Sequence, residues 1–181
     1  MVSTHSADTH STRLPLGDWH VVPADSELGF VTRILFGLVP VRGSYSGVSG
    51  ELHVDGAGNA SGELLIDAAT VSTGIGKRDR HLRSNDFFAA DEHPHVRFTL
   101  ATLVPTADGS LALTGTLHIR EHELAIDTPI TAEAIGADRL RVNADFNVDH
   151  RASGLRASGS GWKKVPETLH VNAALTLERN I

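Results

Sequence analysis

Histidines are frequent in this chain, and they are residues that could bind a metal ion or move a proton. The chain has 11 of them, and two groups are close in sequence, His93-Pro94-His95 and the pair His118 and His122. A spacing of four brings two side chains together on a helix but not on a strand, and the second pair lies on or just past a predicted strand. Neither group has a recognisable carboxylate framework. We therefore predict surface or structural histidines and no metal site.

Acidic residues that could act as acid and base are Asp86, Asp91 and Glu92. Their positions near predicted caps and turns explain them without proton transfer. The chain has no Gly-x-Ser-x-Gly, phosphate-binding loop or dinucleotide-binding glycine pattern. Because it has no cysteine, thiol catalysis, disulfides and thiolate zinc sites are excluded. The sequence predicts a protein that is not an enzyme and has no cofactor.

A local basic cluster consists of Lys77, Arg78, Arg80 and Arg83, in a chain with a net charge of −6. The acidic balance argues against non-specific nucleic-acid binding, which needs a basic surface that displaces counterions. The cluster fits two interpretations. It is either a solvated face, or a set of cations that neutralise a phosphate head group or approach an anionic membrane surface.

The elements that must position these residues are mostly strands. Apolar and polar residues alternate in several runs, which is the pattern of a strand with one buried face. In the run from Val41 to Val54 the apolar parity changes beside Gly47, which predicts a bulge. The pattern indicates an antiparallel barrel or a sandwich. The predicted strands are Leu28 to Ile34, Val41 to Val54, Ser61 to Asp67, Val96 to Leu100, Leu111 to Ile119, Leu124 to Ala134, Leu140 to Val148 and Leu169 to Leu177.

One segment between the strands has a helical signal. Asp79 lies four residues before Arg83, a spacing that supports a short helix from Lys77 to Ser84, and Pro94 returns the chain to extended geometry. The segment from Asp79 to Phe98 resembles the hallmark D-x-H-L-(R/K)-S-x-D-F-F…P-x-(I/V)-x-F of the YceI family. Further similar stretches, from Trp19 to Phe30, from Val41 to Tyr45 and from Leu113 to Ile119, extend the resemblance from Trp19 to about Glu178. The chain departs from the family at Ile34, where a histidine is usual after F-x-V-x, and at Asn143 to Asn147, which replaces R-x-D-F-G.

The resemblance implies a lipocalin-like antiparallel β-barrel of roughly eight strands, with the short helix near its mouth. It also implies that the protein binds and stores or transfers a long-chain isoprenoid lipid, of polyprenyl or isoprenoid-quinone type, in an apolar tunnel. The residues expected to contact the lipid are Phe30, Ile34, Ile75, Leu82, Phe87, Phe88, Phe98, Leu100, Leu117 and Phe146. Those expected near the head group are Arg80, His81 and Arg83. Transient contact with a membrane surface and a homodimer are compatible with the same resemblance.

Two alternatives stay open. The protein could be an enzyme that acts on a small apolar substrate inside the barrel. It could also be a stress-related interaction protein whose cavity is incidental. The tunnel itself depends on small residues at mid-strand, Gly62, Gly115, Ala144 and Ala173, which leave volume along the axis. Rings of phenylalanine could fill that volume instead. Glycines at positions 74 and 76 flank the helical segment and favour a hinged lid.

The N-terminal region, residues 1–17, is polar and has neither a basic start nor an apolar block. It is predicted to be a flexible leader and not a conventional signal peptide. The expected location is therefore cytoplasmic. Residues 18–181 are predicted to form a single lipid-binding barrel domain, and no apolar run reaches the roughly 20 residues that cross a bilayer.

Overall fold

A computed structural model gives the structure of residues 14–34, 38–149 and 168–180. Within these ranges the chain forms mainly strands, with one α-helix, α1, from Gly76 to Arg83. No helix in these ranges has the length and apolar character needed to cross a membrane. The strands are β1 Gly17–Val21, β2 Glu27–Ile34, β3 Val39–Tyr45, β4 Val48–Val54, β5 Ala60–Asp67, β6 Val71–Ser72, β7 His95–Pro105, β8 Leu111–Ile119, β9 His122–Ala134, β10 Arg139–Asp149 and β11 Thr168–Arg179.

Eight of the strands close into an antiparallel barrel. Their order around the barrel is β1-β4-β5-β7-β8-β9-β10-β11, and pairing of β1 with β11 completes the circle. Inward-facing residues are apolar and alternate with exposed ones, most regularly in β9, where buried positions occur at every second residue from Leu124 to Ile130. The predicted lipocalin-like barrel with one short helix is confirmed, and the sandwich is excluded.

At two places in the barrel wall, two consecutive strands follow each other with only a short break between them. A single 3-10 turn at Pro23–Asp25 separates β1 from β2, and both strands pair with β11, β1 near Arg179 and β2 near His170. In the same way Ser46 and Gly47 separate β3 from β4. The bulge predicted at Gly47 is a complete break in the strand. A side chain there would collide with Asp67, whose Cβ lies 2.7 Å from the position of the missing Cβ.

A segment between β6 and β7, residues 73–93, covers one end of the barrel, and we call it the cap. Asp79 anchors it from inside, because its carboxylate is only 7% exposed and accepts hydrogen bonds from the backbone N–H (2.8 Å) and the hydroxyl of Thr73. Arg83 donates to the carbonyl of Val71 at 2.8 Å, and Arg120, beyond β8, donates to the carbonyl of Phe87 at 3.1 Å. The cap is thus tied to the barrel on two sides.

The opposite end of the barrel is filled by side chains. Trp19 is almost fully buried, its indole N–H donates to the carbonyl of Pro15 at 3.2 Å, and the guanidinium of Arg179 lies 4.7 Å from the centre of its ring. Leu111 and Leu140 are as deeply buried as Trp19. The space left inside the barrel therefore lies between this packed layer and the cap.

Candidate functional site

An apolar cavity of about 260 Å³ lies inside the barrel. The barrel strands from β5 to β11 that form the wall each contribute several inward-facing side chains, while β1 contributes Val21 and β4 contributes Leu52. Two hydroxyl groups stand among these carbon-rich side chains, those of Tyr45 and Thr128, while Glu51 and Glu63 border the wall with exposed side chains. A cavity of this kind binds ligands by removing apolar surface from water.

Six of the ten residues predicted to contact a lipid line this cavity. They come from three barrel strands, from β2 and from the cap. They are Phe30, Phe88, Phe98, Leu100, Leu117 and Phe146.

The other four predicted residues lie elsewhere. Leu82 and Phe87 pack against the hydrophobic core from the cap and do not line the cavity, whereas Phe88, whose ring lies 5.0 Å from that of Phe87, does. Ile75 is 53% exposed, since it precedes α1 in extended backbone geometry and points to solvent. Ile34 ends β2, and its side chain lies outside the described part of the chain.

The three residues expected near a head group do not line the cavity either. Arg80 is exposed on α1. The guanidinium of Arg83 donates a hydrogen bond to the carbonyl of Val71. The carbonyl of His81 accepts hydrogen bonds from the backbone N–H of Ser84 (3.2 Å) and from its hydroxyl (2.7 Å), which ends the helix. Of these three residues, Arg83 therefore holds the cap in place through its side chain, while Arg80 lies on the surface.

Several wall residues were not singled out from the sequence. Tyr45 is the most informative of them, because its ring lies between Phe30 (5.9 Å between centroids) and Phe88 (6.2 Å) and so joins β2 to the cap. Burial raises the pKa of Tyr45, so its phenol stays protonated. Its inward position follows from the change of parity at Gly47, which could have identified it. The other large residues of this kind include Leu64, Leu113, Ile126, Ile130, Val142 and Leu175.

Two glycines decide where the phenylalanine rings lie. Gly43 is the partner of Phe30 across β2 and β3, and a Cβ on Gly43 would lie only 2.6 Å from Cε1 of that ring. Gly115 on β8 offers the same space to the ring of Phe98. The rings lie flat against the wall over these glycines, and the axis of the barrel stays open. Phenylalanines and small residues thus share the wall, and the rings do not fill the cavity.

The polar groups of the outer surface form no metal site in the described ranges, where no three potential ligands converge. His118 faces Glu123 at 3.3 Å and His93 faces Glu121 at 3.7 Å, each as a single exposed pair. Such pairs contribute little to stability, because water screens both charges.

Solved structures of the same architecture include BcnA of Burkholderia cenocepacia, with a TM-score of 0.76 and 21% identity over 86% of this chain and 98% of that one. A polyisoprenoid-binding domain from Saccharophagus degradans gives a TM-score of 0.72 and 20% identity over 90% of this chain and 98% of that domain. A YceI protein of Campylobacter jejuni gives a TM-score of 0.64 and 19% identity over 78% of this chain and 86% of that one. At these identities the similarity shows the fold.

Sequence relatives are more local. A UPF0312 protein of Vibrio campbellii is 27% identical over 99 residues, which are 54% of this chain and 51% of that protein. One of Shewanella denitrificans is 28% identical over 96 residues, 52% of this chain and 48% of that protein. The alignments thus span about half the length of these relatives. The family profile is broader: the YceI-like domain matches residues 19–177. With its hallmark segment, its closed barrel and this match over most of its length, the chain belongs to the YceI-like domain family.

Proposed function

We propose that this protein binds a long-chain isoprenoid lipid, of polyprenyl or isoprenoid-quinone type, inside the barrel and stores or transfers it without altering it. The apolar cavity between the cap and the packed end is the observation that carries the proposal. A prenyl chain gains on the order of 25 cal/mol for each Å² of apolar surface that it buries. Walls of leucine, isoleucine, valine and phenylalanine are sufficient for that.

Two further observations support the lipid class. The related domain from Saccharophagus degradans is named for polyisoprenoid binding. The phenol of Tyr45 is a neutral hydrogen-bond donor on an apolar wall, suited to a carbonyl or hydroxyl oxygen such as a quinone or a prenyl alcohol carries. Acid or base catalysis would need a group facing the ligand that gains or loses a proton near neutral pH. Because burial raises the pKa of Tyr45, its phenol does not ionise there.

Mass spectrometry of gently purified protein tests the proposal. We expect a co-purified prenyl lipid that dissociates unchanged. A Leu117→Trp variant should lose it while staying folded, because Leu117 lies on the cavity wall between Phe98 and Leu124 and the larger indole fills the space.

The matched control is Val104→Trp, since Val104 is 54% exposed on the outside of β7. That variant should keep the wild-type lipid load. Protein that purifies empty and takes up no added prenyl alcohol would contradict the proposal. Conversion of an added isoprenoid would support the enzyme alternative.

The proposal also includes a cytoplasmic location, transient contact with a membrane surface and a homodimer. The exposed side chains of Lys77 and Arg80 on α1 support contact with anionic lipids, because each cation near such a surface contributes about 1 kcal/mol. Co-sedimentation with anionic and neutral vesicles tests the contact. Cell fractionation tests the location, and light scattering tests the dimer.

A further inference from the structure

The barrel wall has a seam without backbone hydrogen bonds between β9 and β10. Their ladder runs from Leu140 opposite Ala134 to Ala144 opposite Ile130 and stops there. Beyond that point residues 122–129 of β9 pair only with β8, and residues 145–149 of β10 pair only with β11. A cleft of about 360 Å³ lies between the two segments. We call this seam the slit.

Among the described residues, only side chains close the slit. Leu124, Ile126 and Val148 are buried and pack together, with Phe146 against them. Ile126, Phe146 and Val148 belong both to the wall of the cavity and to the floor of the cleft. A single layer of apolar side chains therefore separates the cavity from the outside at this place.

Opening the slit breaks fewer strong interactions than opening the wall elsewhere. Each ladder hydrogen bond contributes about 0.5–1.5 kcal/mol, and the slit has none to lose. The apolar side chains that part there can pack against an aliphatic chain passing between them, which keeps their surface out of water. Both strands stay attached on their far sides, so the movement is local.

The two ends of the barrel are less suitable for passage. At one end Trp19 is packed beneath Arg179. At the other the cap is fastened through the hydrogen bond from Arg83 to the carbonyl of Val71 and the one from Arg120 to the carbonyl of Phe87. Moving the cap would expose those groups without partners, at a cost of about 1–3 kcal/mol for each buried polar group.

The rim of the slit carries negative charge. Glu123, Asp127 and Asp149 border the cleft, and Lys and Arg are absent from its border in the described ranges. At this rim His118 faces Glu123 at 3.3 Å, and Asp149 makes an interaction of its own. A chain that ends in a phosphate or a carboxylate would meet like charges at the rim, whereas an alcohol or a quinone would not.

We infer that the slit is the mouth through which a long aliphatic chain with an uncharged polar end enters and leaves the cavity. This inference rests on the proposed function and adds to it the route and the head-group class. A staple across the slit tests the route. Asp127 and Asn147 would face each other if the ladder continued in register, and the chain has no cysteine of its own. An Asp127→Cys, Asn147→Cys protein can therefore be joined by a bismaleimide whose linker a reductant cleaves.

The control staple joins Asp145→Cys to Asn172→Cys, which are partners in the intact ladder of β10 and β11. Geranylgeraniol is supplied from neutral vesicles, and its uptake and release are followed by native mass spectrometry. The slit staple should slow both at least tenfold, with full recovery after reduction, and the control staple should not. Equal rates in both stapled proteins overturn the slit as the route. If the unstapled protein takes up no geranylgeraniol, the proposed function fails as well.

Geranylgeranyl phosphate tests the head-group class on the same unstapled protein. It should enter at least tenfold more slowly than geranylgeraniol, and an Asp127→Asn, Asp149→Asn variant should reduce that difference. Equal uptake of the alcohol and the phosphate by the unaltered protein would overturn the preference for an uncharged end.

Discussion

At the scale of single residues, the width of the cavity depends on what its phenylalanines pack against. Phe30 lies over Gly43 and Phe98 over Gly115, so two large rings occupy the wall instead of the axis. The sequence shows both glycines and both phenylalanines. It does not show that each ring meets its glycine, because that requires the register between strands. Residue type alone therefore left a filled barrel and an open barrel equally compatible with the pattern.

Gly43→Ala tests this arrangement. The atoms in the way of the new methyl group belong only to the ring of Phe30, so the ring must swing toward the axis and reduce the space for lipid. We expect a clear fall in the amount of bound prenyl lipid, measured by extraction and mass spectrometry, and its recovery in Gly43→Ala, Phe30→Leu. Gly56→Ala, in a turn with open space around the glycine, is the control. An unchanged lipid load in Gly43→Ala would show that this ring does not set the width.

A second prediction at this scale concerns acid stability. Hydrogen bonds from the hydroxyl of Thr106 and from the hydroxyl and backbone N–H of Ser110 lower the pKa of Asp108 from 3.8 to about 2. A carboxylate with a lowered pKa stabilises the fold above its unfolded pKa, and that contribution is lost as the pH falls from about 4 to about 2.

Between those pH values the thermal midpoint of the wild type should therefore fall more steeply than that of Asp108→Asn. Because Asp108 is exposed, the difference is expected to be small. Asp91→Asn, another exposed aspartate, should follow the wild type. Parallel curves for the wild type and Asp108→Asn would contradict the prediction.

At the scale of elements, periodicity located the strands well and their breaks less well. The strand predicted from Leu140 to Val148 is β10, and the change of parity beside Gly47 marks the end of β3. The helix predicted from Lys77 to Ser84 is α1, shifted by one residue at each end. The early end of the β9–β10 ladder could not be predicted, because both strands keep perfect alternation where their pairing stops. Alternation reports burial, whereas pairing depends on how two strands diverge in space.

One buried carboxylate, that of Asp79, stabilises the cap from within. Asp79→Ala leaves the backbone N–H of Thr73 without its acceptor, so we expect the free energy of unfolding to fall by about 1–3 kcal/mol. Chemical denaturation measures this, and Asp91→Ala is a control in the same segment. Asp79→Asn keeps an acceptor oxygen and should lose less.

Hydrogen exchange distinguishes a fixed cap from the hinged lid expected from the glycines at 74 and 76. The contacts of Asp79 and Arg83 favour a fixed cap. The amides of residues 82–90 should then exchange slowly with and without lipid, and those of residues 145–149 beside the slit should respond to lipid most. A strong effect of lipid on the cap, larger than on β10, would instead support the lid.

At the scale of the whole molecule, the described residues of the barrel form a shell around an apolar cavity. The resemblance to the YceI family gave the closed barrel and the expected lipid, which periodicity alone did not. Of the predicted leader of residues 1–17, residues 1–13 lie outside the described ranges, while Leu14 lines the cavity and Gly17 begins β1. We expect a bound lipid, and not a larger core of side chains, to supply part of the stability of the folded protein.

Removal of the lipid should therefore lower the thermal midpoint. A ligand at 100 times its dissociation constant stabilises the folded state by about 2.7 kcal/mol, and the midpoint should rise again on addition of geranylgeraniol. Leu117→Trp provides the internal comparison, because its filled cavity should make the midpoint independent of the alcohol. A stripped protein with the same midpoint as the loaded one would show that the shell needs no ligand.

The position of β11 has a consequence for how the chain folds during synthesis. This strand follows all the others in sequence, yet it pairs with β10, β1 and β2 and so joins both halves of the wall. Until it leaves the ribosome, β1 and β10 both present unpaired edges. Such edges can pair with another chain, and contacts this distant in sequence form slowly. The nascent chain should therefore depend on holding chaperones up to its last strand, and barrel closure should be a late, post-translational step.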